Sequence, residues 1–194
     1  MSLRLGIFGG TFDPIHLGHL ILAELARYLL RLDQVLFVPA RIPPHKGSTP
    51  TDAERRIRMT RLGTEGNPHF AVSDIELRRE GPSYTVDTLR ALRDQKPDTE
   101  HYLLMGADSA RDLESWKDHQ VLLEDSTVVV MARPGVDAMD LPPSLGGRTT
   151  VLSTPQFDIS SSQIRGLVRE GGPIRYLVTD SVEGFIRSEG LYRS

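Results

Sequence analysis

Residues 3–39 read LRLGIFGGTFDPIHLGHLILAELARYLLRLDQVLFVP, and the order of signals in that stretch decides the fold. Residues 3–8 are a short apolar run that ends on Gly9 and Gly10. Over residues 17–32, Leu20, Leu22, Leu25, Ala26, Leu29 and Leu30 recur at helical spacing. Residues 34–39, QVLFVP, are a second apolar and β-branched run. Strand, tight loop, helix, strand predicts a βαβ unit, because two parallel strands need a connection long enough to carry a crossover helix.

The alternation continues along the chain. Pro43, Pro44, Gly47 and Pro50 exclude regular structure from residues 40–50 and predict an exposed loop. Thr51 and Asp52 offer N-caps for a helix through residue 62. Its Arg55, Arg56, Arg58 and Arg61 read as one solvated face rather than a nucleic-acid patch. Residues 70–77 alternate weakly, 84–92 read as a helix, 101–105 as a buried strand, 113–123 as a helix and 127–131, TVVVM, as a central strand. Residues 134–148 are a Pro- and Gly-rich loop, 149–152 a last strand, and 160–168 and 180–188 terminal helices. The expectation is one α/β domain over residues 1–194, a doubly wound parallel sheet flanked by helices with a C-terminal helical element. Ligands then bind at the carboxyl ends of the strands.

Composition excludes whole classes of function. The 194 residues carry a formal net charge of −3 and no cysteine, with a pI near 6.1. A disulfide scaffold, a thiolate metal site and a cysteine nucleophile are therefore absent. The acidic balance argues against a nucleic-acid partner, so any phosphate must be met locally. No apolar stretch approaches the roughly 20 residues that span a bilayer, and residues 1–6 run straight into the first strand pattern. This predicts a cytoplasmic protein with no membrane partner; a monomer and a homo-oligomer both fit.

Two stretches carry chemistry. Gly9-Gly10-Thr11-Phe12-Asp13-Pro14-Ile15-His16-Leu17-Gly18-His19 lies between the first strand and the first helix. Glycines there let backbone approach a ligand, and free amides at the helix start favour an anion. His16 and His19 share a face one turn apart. They read as phosphate ligands, as a metal pair, or as capping or core histidines; against a metal, Asp13 and Glu24 are wrongly offset to complete a ligand set. The second stretch, Ile159-Ser160-Ser161-Ser162-Gln163-Ile164-Arg165, is at least a helix start. Three hydroxyls followed by an arginine one turn in also make a polyphosphate clamp.

These stretches resemble the paired signatures of the nucleotidyltransferase superfamily that carries a (T/H)-x-G-H motif, within it most closely the bacterial nicotinate mononucleotide adenylyltransferases. Pro43-Pro44-His45-Lys46, Pro82-Ser83-Tyr84-Thr85, Gly106-Ala107-Asp108-Ser109, Trp116, Arg133-Pro134-Gly135 and the ending Gly190-Leu191-Tyr192-Arg193 extend the resemblance over nearly the whole chain. One departure is Thr179-Asp180, where a proline is expected.

The resemblance implies a Rossmann-like sheet and transfer of an adenylyl group from ATP to nicotinate mononucleotide. It implies that His16, His19 and Arg165 are catalytic, with His19 stabilising charge at the α-phosphate. Gly9, Gly10, Thr11, Phe12, His45, Lys46, Ile159, Ser160 and Ser161 would join them around ATP, concentrating cationic groups that the whole-chain charge hides. Tyr84, Thr85, Asp108, Trp116 and Arg133 would hold the mononucleotide, and Mg²⁺ would be held mainly by the ATP phosphates rather than by protein ligands. Without the resemblance, Trp116 reads as a partly buried core aromatic. The rival readings are a transferase acting on phosphopantetheine or a polyol phosphate, and a non-catalytic nucleotide-sensing or RNA-binding domain on the same sheet.

Overall fold

The computed structural model describes residues 2–44, 51–132, 142–145, 149–155 and 157–193. Six strands, β1 (Leu3–Gly10), β2 (Gln34–Pro39), β3 (Phe70–Val72), β4 (Thr99–Gly106), β5 (Thr127–Ala132) and β6 (Thr149–Ser153), form one parallel sheet in the order β3-β2-β1-β4-β5-β6. Among the described residues seven α-helices accompany them: α1 (Leu17–Leu29), α2 (Ala53–Thr64), α3 (Thr85–Gln95), α4 (Ala107–Arg111), α5 (His119–Asp125), α6 (Ser161–Arg169) and α7 (Asp180–Ser188). The expected α/β class and doubly wound order are both present. No helix among the described residues is long and apolar enough to cross a membrane.

Side chains along the central strands alternate between two cores, as the period of two requires. On β5, Val129 and Met131 join Phe8, Ala23, Ala26, Met59, Ile164 and Val182 on one face. Val128 and Val130 join Leu5, Ile7, Val86, Leu89 and Leu122 on the other. Helices α1, α2, α6 and α7 thus cover one face, and α3 and α5 the other. Right-handed crossovers in opposite directions from the sheet centre demand this arrangement. The order reverses between β1 and β4, which end on Gly10 and Gly106, and a crevice opens there beyond the strand ends.

Several elements differ from the sequence expectation. Helix α1 stops at Leu29 rather than residue 32, because Arg31 turns left-handed (φ 51°) and the Leu32 N–H reaches back to Arg27 O, 2.9 Å, burying Leu32. The expected helix over 113–123 is broken in two. Leu113–Ser115 form a 3₁₀ turn, Trp116 is extended, and Asp118 is left-handed (φ 49°) before α5 begins. Asp52, not Thr51, caps α2 by accepting from Arg55 N at 2.8 Å. At Thr179-Asp180, the threonine hydroxyl caps α7, so the local start is made without proline.

Arg56 corrects the reading of α2 as a wholly solvated basic face. Arg55, Arg58 and Arg61 are exposed, whereas Arg56 is 0% exposed. Its guanidinium donates to three carbonyls, Thr51 O at 3.1 Å, Thr11 O at 2.8 Å and Arg41 O at 3.0 Å. It ties α2 to the loop after β1 and to the exit of β2. Burial lowers its pKa, opposed by the nearby charge of Asp13. Only a planar fork of donors serves three directions at once. We expect Arg56→Lys to cost about 3 kcal/mol in urea denaturation, since two buried carbonyls lose their donor; a loss below about 1 kcal/mol would contradict this account.

His101 of β4 is buried, and its Nε2 has no partner. Burial lowers its pKa below 6.5, with Arg93 adding to the shift and Asp125 opposing it. Burial likewise lowers His16 to about 4. For such groups the unfolded chain takes up protons first as pH falls, so their stabilising contribution is whole above pH 6.5 and is lost below it. The folding free energy of His101→Leu should therefore fall less between pH 7.5 and 5 than that of the unaltered chain. Parallel pH dependences in urea titrations would refute the role given to His101.

Candidate active site

The loop from Thr11 to Pro14 crosses the carboxyl end of the sheet without regular structure, and its geometry comes from donors around it. Phe12 adopts a left-handed backbone (φ 49°) and turns its ring into the core, 2% exposed. The ring lies beneath Gly10, where an added Cβ would meet it at 2.8 Å. The Phe12 ring therefore supports the loop from below. Arg165 donates to Asp13 O at 2.7 Å, and Ser161 Oγ donates to Pro14 O at 2.9 Å. The hydroxyl of Tyr192 donates to Asp13 Oδ1 at 2.6 Å, and burial pushes the phenol's pKa upward. The Asp13-Pro14 peptide bond is cis.

His16 is the N-cap of α1, buried, with Nδ1 unpartnered. With its pKa near 4 it is neutral at neutral pH, so it is not one of the cations that the sequence suggested. His19 stacks on it, with ring centroids 3.6 Å apart and planes 26° apart. His19 Nδ1 accepts the His16 N–H at 3.3 Å, which places the ring proton on Nε2. The edge of Phe12 packs on His19 at 5.1 Å between centroids. Gly18 leaves room for the His16 ring: a Cβ there would stand 3.1 Å from His16 Nδ1, and the ring would have to give way by a few tenths of an ångström. Of the readings left open, His16 takes the N-cap position without a side-chain cap hydrogen bond, the bond there being the one His19 accepts from the His16 N–H, while both rings also line the cleft. Among the described residues no cluster of three or more His, Asp or Glu side chains suits a metal ion.

The cleft is open and has a volume of about 1510 Å³. At one end it is bounded by Gly9, Gly10, Thr11, His16 and His19, and by Ile159, Ser160, Ser161 and Arg165 from the start of α6. Ser160 caps α6 by accepting from Gln163 N at 3.1 Å. Arg165 gives two of its five N–H groups to Asp13 O and Ser162 Oγ, which leaves three. At the other end stand Tyr84 and Thr85, the N-cap and first residue of α3, with Asp108 and Trp116. The first amides of α3 have no intrahelical acceptor. Trp116 is half-buried against the second core, as the core-aromatic reading has it, and it also lines the cleft. Asp108 is exposed and pairs with Arg111 at 2.8 Å. His45, Lys46 and Arg133 lie outside the described residues.

Lys117 and Glu76 line the cleft without having been singled out in the sequence. Lys117 Nζ lies 4.9 Å from the Tyr84 ring centroid and bonds Asp87 at 3.0 and 3.1 Å. A lysine after a tryptophan carries no periodic signal; its position comes from the left-handed turn at Asp118.

Residues 7–167 match the cytidylyltransferase-like family. A probable nicotinate-nucleotide adenylyltransferase of Thermus thermophilus is 47% identical, covering 98% of this chain and 100% of that protein. One of Thermomicrobium roseum is 46% identical over 98% of this chain and 92% of its own length. Among solved structures, the Plasmodium falciparum nicotinic acid mononucleotide adenylyltransferase complexed with NaAD superposes with a TM-score of 0.82 at 20% identity, covering 98% of each chain, a likeness of fold. With near-complete coverage at this identity, and with the cleft built from the same two stretches that first suggested the resemblance, the chain belongs to the nicotinate-nucleotide adenylyltransferase family.

Proposed function

We propose that this protein joins nicotinate mononucleotide to ATP, giving nicotinate adenine dinucleotide and pyrophosphate, a step of NAD biosynthesis in the cytoplasm. The observation that carries the reading is the cleft itself. A histidine pair and the start of α6 form an anion site at one end, and helix amides beside a tryptophan face lie at the other.

An oxygen of the mononucleotide's 5′-phosphate attacks the α-phosphorus of ATP. The new P–O bond forms as the bond from the α-phosphorus to the bridging oxygen breaks, and the electron pair leaves with pyrophosphate. No protein nucleophile takes part, so catalysis is positioning and charge stabilisation. ATP enters as its magnesium complex, the ion held by phosphate oxygens and water.

His19 donates from Nε2 to the α-phosphate, its ring fixed by the His16 N–H, the stacked His16 ring and Phe12. A neutral His16 leaves room for positive charge to grow on His19 without repulsion across 3.6 Å. Arg165 and the first amides of α6 take the outer phosphates, with Gly9, Gly10 and Thr11 lining the bed and Ile159 and Ser160 beside it. Ser161 contributes its amide, because its hydroxyl proton is given to Pro14. His45 and Lys46 add cations to the triphosphate, and Arg133 contacts the mononucleotide. The pyridine ring lies on Trp116, and the amides at Thr85 accept its carboxylate; Lys117 adds positive charge nearby. Nicotinamide would bring a donor to those donors, so the acid is favoured. Asp108 faces the ribose hydroxyls.

With ATP and magnesium, pyrophosphate release should be at least tenfold faster with nicotinate mononucleotide than with phosphopantetheine or nicotinamide mononucleotide. Absent or equal turnover defeats the assignment. His19→Ala should lower kcat by about 100-fold with the KM for ATP little changed, the mark of an interaction strengthened in the transition state. A rise in KM at unchanged kcat would make His19 a ground-state ligand instead.

A further inference from the structure

Glu76 is 7% exposed, lies between β3 and α3, and has no part in the mechanism above. Its neighbours restrict what it can do. Ser83 Oγ accepts the backbone N–H groups of Arg41 at 2.9 Å and Ile42 at 3.3 Å, which occupies both its lone pairs. Its own proton is therefore available only for donation, and its hydroxyl favours the charged form of the nearby Glu76. Thr88 makes the short contact: its Oγ1 accepts from the Arg79 guanidinium at 3.3 Å and donates to Glu76 Oε1 at 2.6 Å. Glu76 thus meets a hydroxyl donor and the charges of Arg79 and Arg56, surroundings that suit a carboxylate acceptor.

The elements joined here are the two that frame one end of the cleft. Arg41 and Ile42 leave β2, and the Ser83 N–H returns to Ile42 O at 2.9 Å. Arg41 also donates to Arg79 O at 2.7 Å. Thr88 belongs to the start of α3, whose first residues are Tyr84 and Thr85. We propose that Glu76 is a positioning residue for the mononucleotide: as the buried acceptor of Thr88 it holds the start of α3 on the turn that Arg79 O ties to Arg41 at the exit of β2, and so keeps the Tyr84–Thr85 end in binding geometry. This rests on the reading that this end of the cleft takes the mononucleotide. Burial raises the Glu76 pKa, while the Thr88 and Ser83 hydrogen bonds and the charges of Arg79 and Arg56 oppose that rise.

Glu76→Gln keeps the shape, removes the charge and replaces one acceptor oxygen by a donor. We expect the KM for nicotinate mononucleotide to rise at least tenfold, with kcat and the KM for ATP within threefold. The acid-side rise of that KM should be steeper in the unaltered enzyme than in the variant, since protonating Glu76 makes the same change as the substitution; the substrate phosphate titrates in both. Thr88→Val, which removes the hydroxyl that Glu76 accepts from, should shift the same KM in the same direction, and it decides the matter if Glu76→Gln does not fold. Amide hydrogen exchange at residues 84–88, measured without substrate, should speed up at least tenfold in either variant. A folded variant with unchanged mononucleotide KM, or one in which the KM for ATP moves equally, overturns the proposal. Unchanged exchange overturns the lock whatever the substrate proves to be, whereas absent turnover by the unaltered enzyme with normal exchange effects defeats only the functional reading.

Discussion

The loop that carries the histidines is buried but has no regular structure, so its carbonyl groups need donors that neither helix nor strand supplies. Arg56 serves Thr11 O, Arg165 serves Asp13 O, and Ser161 serves Pro14 O. Two of these donors belong to α6, and the Asp13 carboxylate takes its hydrogen bond from Tyr192 at the end of the chain. Residues near positions 11–14 are thus fixed by groups around 160 and 190, and the site forms only when the last helices have docked. Stability and activity are coupled here through backbone oxygens more than through side-chain pairs.

The same loop explains how an acidic chain can hold a triphosphate. The −3 sum suggests a hidden cluster of cations, yet one of the presumed cations is neutral because desolvation keeps His16 near pKa 4. Among the described residues, positive potential at that end comes from Arg165 and from the first amides of α6, whose partial charges cost no counter-ion elsewhere. A neutral His16 also has a use: a charged ring stacked at 3.6 Å would raise the cost of any charge on His19.

The strand and helix order could be read from residues 3–39 and 127–131 because alternation and helical spacing are local properties of sequence. The histidine and serine end of the cleft was legible for the same reason: its glycines, histidines and serines sit in two short stretches. What escaped depends on long-range geometry. Arg56 looks like its neighbours on α2, and only the convergence of Thr11, Arg41 and Thr51 removes it from solvent. The helix over 113–123 kept its apolar spacing, but Asp118 takes a left-handed backbone and Trp116 turns to the cleft. Glu76 gave no signal because a carboxylate between a short strand and a helix reads as surface until the Thr88 hydroxyl is found donating to it.

Four buried side-chain atoms among the described residues lack a partner: Asp13 Oδ2, His16 Nδ1, His101 Nε2 and Thr149 Oγ1. Each costs about 1–3 kcal/mol against a satisfied group. At His101 nothing in the cleft depends on the ring, so an apolar side chain would relieve that cost. Asp13 and His16 are different, because each is used through another atom of the same residue. Asp13 Oδ1 holds Tyr192 and its carbonyl holds Arg165, while the His16 N–H fixes the His19 tautomer and its ring supplies the stack. Removing either orphaned atom by substitution removes those functions as well. The cleft therefore keeps two unsatisfied polar atoms that a core selected for stability alone would lose, and their cost is met by the two apolar cores on either side of the sheet.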